Sequence, residues 1–203
     1  DIVRQVKREL ADGCKEIWLS STDNGCYGLD IGEDLSSLIE QVTLIPEDFR
    51  IRVGMMNPMF MPRIRDNLLK SFESDKVFRF LHVPVQSGSN EVLNNMKRGH
   101  TVETFKDVVR KVRAKFGTFT ISTDIIVGYP TETQENFEET IGLLKETRPD
   151  IVNLSRYSQR PGTIAAEMPQ IDVVEIKRRS KQVTDLINDI SLENNRKWIG
   201  WKG

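Results

Sequence analysis

Apolar residues recur along the chain with two alternating periods. Val3, Val6 and Leu10 fall on one face of a helix, and Gly13 can end it. Residues 16–20 (EIWLS) read as a short strand, followed by a Gly- and Asp-rich loop through Gly32. Leu35, Leu38, Ile39 and Val42 form the next helical stripe, closed by Pro46. Residues 50–54 predict a strand, 55–62 a loop with two prolines, and 64–72 a helix. A strand over 78–83 stops at Pro84, and helices follow over 90–96 and 102–115. Residues 119–127 are the most apolar and β-branched stretch and read as a strand. A helix over 134–146, a strand over 151–154 and a long charged helix over 173–198 complete the pattern.

Five strands alternating with helices require parallel pairing and right-handed crossovers, with both sheet faces expected to be covered. The fold class is α/β. A closed or partly closed barrel and a doubly wound open sheet both fit, and periodicity does not choose between them. In either, ligands bind at the carboxyl ends of the strands. The segments at those ends, 20–23, 55–58, 84–89, 124–130 and 155–162, are all polar or rich in Gly and Pro. A purely structural domain does not require that.

Composition narrows the classes. The formal net charge of −1 does not make the chain an electrostatic magnet for nucleic acid, although a local basic face remains open. Two cysteines, Cys14 and Cys26, form neither a disulfide framework nor a CxxC pair, and their usage fits a reducing cytoplasm. No apolar run is long enough to span a bilayer, so no membrane partner is expected. The chain opens on Asp1 inside a helical pattern and is read as a piece of a longer protein.

Three segments, VPVQSGSNEVLNNMKRGHT (83–101), STDIIVGYPTETQENF (122–137) and the RPGT at 160–163, resemble the radical S-adenosylmethionine (SAM) methylthiotransferases. Within that family, EIWLSSTDNGCYGLDIG (16–32) and RVGMMNP (52–58) are most similar to the branch that modifies N6-threonylcarbamoyladenosine (t6A) in tRNA. The resemblance implies a partial parallel (β/α)6 barrel over residues 1–197, whose first strand would precede Asp1. Residues 198–203 would open a carboxyl-terminal RNA-binding domain of TRAM type. The family's CxxxCxxC loop, which holds a [4Fe-4S] cluster, would also precede Asp1. No metal ligand is therefore expected in this chain, and Cys14 and Cys26 read as structural or incidental, since free Cys is often buried.

The resemblance also implies roles. Ser21 and Asp23 occupy the loop expected to hold the SAM amino group. Gln86 can donate and accept, as a ribose hydroxyl pair requires. Ser89 reads as a helix cap. Arg98, in an MKRxxT pattern, is placed to pair with the SAM carboxylate. Asp124, beside Thr123 in an apolar strand where an unpaired acid is costly, is expected to face the active-site mouth as a SAM contact, because the family carries its SAM and substrate contacts there. Ile125 and Ile126 would pack on the adenine, and Gly128 would let the backbone approach the ligand. Glu132 reads as a cap of the following helix. Asn57, Tyr157 and Arg160 are the candidate substrate contacts, and catalytic groups are unassigned. His82 and His100 have no partner at metal-ligand spacing. The methionines of the 55–61 loop could be core filler or line a nucleoside pocket. The basic run at 177–181 reads as a solvated face that could meet tRNA phosphate.

The activity so implied is radical addition of a methylthio group to C2 of t6A in the anticodon loop of tRNA. SAM, [4Fe-4S] clusters held outside this chain and an electron donor would take part. The alternatives are a methylthiotransferase acting on isopentenyladenosine or on a ribosomal-protein aspartate, a different radical SAM reaction, and a non-catalytic α/β nucleotide-binding domain. The fragment alone is expected to be inactive.

Overall fold

A computed structural model describes residues 1–201. The expected start of a further domain at 198–203 falls partly on Lys202 and Gly203, which lie outside the described residues.

Five strands appear where the pattern placed them: β1 (Glu16–Leu19), β2 (Arg50–Val53), β3 (Phe80–His82), β4 (Thr120–Val127) and β5 (Ile151–Arg156). Pairing is parallel throughout. β1 pairs with β2, and β4 lies between β3 and β5. A parallel bridge from Ile51 to Val77 and a hydrogen bond from Met56 N to His82 O (3.0 Å) join the two groups. The spatial order is therefore the sequence order. A doubly wound sheet reverses direction at a switch point, and a barrel does not. The order resolves the alternatives in favour of a barrel-type sheet.

Among the described residues eight α-helices accompany the strands: α1 (Ile2–Ala11), α2 (Leu35–Thr43), α3 (Met61–Ser71), α4 (Asn90–Asn95), α5 (Val102–Lys115), α6 (Gln134–Thr147), α7 (Ile164–Glu167) and α8 (Val173–Asn195). Gly13, at φ +97°, follows the end of α1 in a conformation that favours glycine. α3 begins three residues before the expected start, because Pro62 sits in its first turn, where its missing N–H costs nothing. The short α7 has no counterpart in the sequence pattern.

The core lies between the helices and one face of the sheet. Ile17, Leu19, Ile51, Val53, Leu81, Ile121, Ile125 and Val127 are buried with the apolar stripes of α2, α3, α5 and α6. The expectation that both faces are covered is corrected. The opposite face carries Trp18, 64% exposed, with half-buried Arg52, Phe80, His82, Asp124 and Ile126 and exposed Asn153. Helices line only the outside of a barrel, so its inner face depends on closure or on a ligand for cover.

Candidate active site at the strand ends

The strand-end residues come together across β3, β4 and β5. Pro84 lacks an N–H and interrupts the β3–β4 ladder. Thr123 fills the gap: its hydroxyl donates to Val83 O (2.8 Å) and accepts from Val85 N (3.0 Å). Thr123 is thus structural. Pairing resumes at Gln86, whose N donates to Asp124 O (2.8 Å) and whose O accepts from Ile126 N (2.9 Å). Gln86 holds φ +74°, rare for a residue with a Cβ, and such strain collects at functional sites.

Asp124 projects onto the inner face. Its Oδ1 lies 2.8 Å from His82 Nε2 and accepts from Asn153 Nδ2 at 2.8 Å. Burial pushes the carboxyl up, but the His82 and Asn153 hydrogen bonds and the nearby charge of Arg98 outweigh it, and the pKa is held below its ordinary 3.8. A depressed carboxyl stabilises the fold above its unfolded pKa and loses that contribution as pH falls through the folded value. Acid titration of stability from pH 5 downwards is expected to show a shallower loss in Asp124→Asn than in the wild type.

Arg98 is half-buried and makes no side-chain hydrogen bond or ion pair among the described residues. A half-buried guanidinium without a partner is suited to an anionic ligand group. Lys97 before it takes a left-handed conformation, φ +54°. Ile126 is half-buried on the inner face, whereas Ile125 is fully buried in the core. The two-residue strand period separates them, so the expectation that Ile125 packs on a ligand is corrected: it faces the core, and of the two only Ile126 lies on the inner face.

Gly128 turns the chain out of β4 at φ +80°. A Cβ there would lie 2.6 Å from Ile176 Cγ1, so the close approach comes from α8. Gly128 N donates to Glu132 Oε1 (3.2 Å). Glu132 is not the cap of α6. Thr133 is, in a reciprocal capping box with Asn136. Glu132 is instead buried and ion-paired: Arg179 Nη1 donates to its Oε1 (2.6 Å) and its backbone O (2.9 Å). Burial pushes the Glu132 carboxyl up, and the Arg179 bonds offset part of that. Arg179 is itself buried, which corrects the reading of 177–181 as wholly solvated.

The loops after β1 and β2 are tied together. Asp23 Oδ1 accepts from Gly25 N (2.9 Å) and Asn57 N (3.1 Å), and Ser21 Oγ accepts from Asp23 N (3.2 Å). Asn57 Oδ1 caps a 3-10 turn by accepting from Met59 N (3.1 Å). These bonds already occupy oxygens of Ser21, Asp23 and Asn57. The methionine loop divides: Met56 and Met61 are core, and Met59 is exposed and lies against Gly99.

After β5, Tyr157 stacks edge-on against Tyr129 with ring centres 5.5 Å apart, and its hydroxyl is buried without a partner. Arg160 is exposed. Ser89 holds the first position before α4 but does not cap it; its Oγ accepts from Asn136 Nδ2 (2.9 Å). Cys14 and Cys26 are free and exposed rather than buried. Among the described residues no three His, Cys, Asp or Glu side chains gather to hold a metal, so these residues do not fit an iron–sulfur cluster. No helix of the described residues is long and apolar enough to cross a membrane.

Sequence reasoning missed His82, Asn153 and Arg179. Their partners lie 42, 29 and 47 residues away, beyond any local spacing rule.

Comparison with known proteins bears on this arrangement. A probable threonylcarbamoyladenosine tRNA methylthiotransferase of Pyrococcus horikoshii is 49% identical over 201 residues, 99% of this chain and 47% of that protein. The threonylcarbamoyladenosine tRNA methylthiotransferase of Drosophila melanogaster is 43% identical over 187 residues, 92% of this chain and 34% of that protein. The chain thus spans about half the length, or less, of these relatives. Two solved structures share the fold. A radical SAM methyltransferase, TsrM, of Kitasatospora setae matches with a TM-score of 0.59 and 15% identity, over 76% of this chain and 30% of that one. Coproporphyrinogen III oxidase of Escherichia coli matches at 0.56 and 22%, over 74% and 35%. The model of the radical SAM superfamily matches residues 1–144, and with its sequential parallel sheet and strand-end cluster the chain belongs to that superfamily.

Proposed function

We propose that the chain is the SAM-binding core of a tRNA methylthiotransferase that acts on C2 of t6A in the anticodon loop. The observation that carries this reading is identity of 44–49% across 98–99% of the chain to archaeal relatives named for that activity. The cluster at the strand ends supports it.

The residues present fit SAM. The unpartnered guanidinium of Arg98 suits its carboxylate, and the half-exposed Ile126 suits one face of its adenine. Gln86 and the turn at Gly128 border that place, and Asp124 lies below it. Ser21 and Asp23 suit the ammonium group, with Asp23 Oδ2 uncommitted among the described residues. Asn57, after β2, and Tyr157 and Arg160, after β5, are the proposed substrate contacts, and the exposed Arg160 suits a phosphate. In the whole protein, [4Fe-4S] clusters held by other residues and an external electron donor would complete the machinery. This chain's own part is to bind SAM, orient it toward the target base and exclude water. The reading places the protein in the cytoplasm, with tRNA as its partner.

The test uses the full-length protein with reconstituted clusters, SAM, a reductant and tRNA carrying t6A. Nucleoside mass spectrometry is expected to show a methylthio group gained on t6A. A gain confined to isopentenyladenosine or to protein would overturn the assignment.

A further inference from the structure

The inner face carries a constellation that the SAM cradle does not absorb. Asp124 lies three residues before the end of β4 and Asn153 lies within β5, so both sit below the strand-end turns. Asn153 and His82 approach the same oxygen of Asp124 from the two neighbouring strands, each at 2.8 Å. Two partners fix the carboxylate, and the carboxylate fixes the imidazole.

The polarity of this arrangement follows from chemistry. An ionised carboxylate only accepts, so His82 Nε2 carries the hydrogen in that pair. In the neutral ring Nδ1 is then a bare acceptor. It has no hydrogen-bond partner among the described residues. The His82 and Asp124 side chains keep 22% and 29% of their surface, on the inner face that no helix of the described residues covers. Phe80 precedes His82 by two residues on the same strand face, and the Arg52 guanidinium covers its ring at 4.4 Å while lying 4.7 Å over Trp18. An open acceptor on this inner face suits a heterocycle bearing an N–H or O–H on its rim.

We propose that His82 is a substrate-contacting residue whose Nδ1 accepts a hydrogen bond from an N–H or O–H of the modified nucleoside, with Asp124 and Asn153 as positioning residues. The proposal rests on the methylthiotransferase reading and names a specificity determinant within it. SAM also offers N–H and O–H donors, so the test separates the two ligands.

The full-length, cluster-loaded protein is assayed with SAM and t6A-bearing tRNA. Three quantities are measured: equilibrium SAM binding, 5′-deoxyadenosine released and methylthiolated nucleoside formed. In His82→Ala, SAM affinity is expected to be unchanged and the methylthiolated product to fall about tenfold or more. The ratio of 5′-deoxyadenosine to product then rises, because SAM is cleaved without a correctly held substrate. Asp124→Ala removes the oxygen that holds both His82 Nε2 and Asn153 Nδ2, frees the ring and is expected to raise the same ratio. Two further variants separate contact from stapling. Asn in place of His82 sets an amide oxygen near the Nδ1 position, whereas Gln reaches the Nε2 position and keeps only the Asp124 bond. His82→Asn is therefore expected to retain more product than His82→Gln. The reverse order, a loss of SAM affinity with an unchanged ratio, or wild-type output from His82→Ala each overturns the proposal alone. A wild-type protein that makes no methylthiolated nucleoside overturns the functional reading and the proposal with it.

Discussion

Arg179→Ala is expected to destabilise the protein by about 3–5 kcal/mol, the usual cost of removing one member of a buried ion pair. Arg179 keeps 6% of its side-chain surface and Glu132 1%. Arg179 Nη1 holds both Oε1 and the backbone O of Glu132, while Nε bonds Glu175 Oε1 at 2.7 Å. The alanine variant would leave Glu132 buried without its cation, and Glu132 Oε2 already has no partner. The same pair ties α8 to the turn that carries Gly128, so the loss should weaken SAM binding as well. Urea unfolding followed by circular dichroism measures the stability change. A change below about 1 kcal/mol, the range of surface ion pairs, would show that the pair is solvated rather than buried.

Gly88→Ala is expected to cost about 3 kcal/mol, at the upper end of overpacking effects. A Cβ on Gly88 would lie 2.4 Å from Thr140 Cα and 2.6 Å from Glu139 O, both backbone atoms of α6. A helix backbone does not yield as a side-chain tip does. Gly88 N also donates to Thr140 Oγ1 (2.9 Å), so displacing α6 breaks that bond too. The displacement would carry Gln86, two residues earlier, out of its place in the sheet. Thermal unfolding should show a lower midpoint in Gly88→Ala, and a companion Gly117→Ala, with nothing within 4 Å of its added carbon, should not. Equal midpoints for the wild type and Gly88→Ala would contradict the close packing.

Much of this was legible in the residues themselves. The alternation of period two in β4 and of helical spacing in α5 comes from local backbone geometry, so one sequence window suffices to find each. The same holds for the polar segments after the strands, which follow from the direction of a parallel sheet. Gln86, Arg98, Asp124 and Ile126 were singled out by the family resemblance of their segments rather than by local spacing alone. Glu132 and Arg179 were misread for one reason. Each looks like an ordinary charged residue near a helix, and only the docking of α8 against the turn after β4 buries them together. His82 and Asn153 were missed because their role depends on register. Parallel pairing sets Asp124 opposite Asn153 and brings His82 within reach, and a shift of one residue would turn them to the helices.

The sequence by itself determined the order and kind of the elements, the end of the sheet where polar residues gather and the family resemblance, because each is written in local spacing. The tertiary structure decided three things. It chose a barrel-type sheet over a doubly wound one, through the strand order β1 to β5. It assigned Ile125 to the core and Ile126 to the inner face. It paired His82, Asp124 and Asn153 on that face and clamped Gly128 and Glu132 beneath α8. All three are contacts between residues far apart in the chain, which packing and strand register fix and local propensity does not encode.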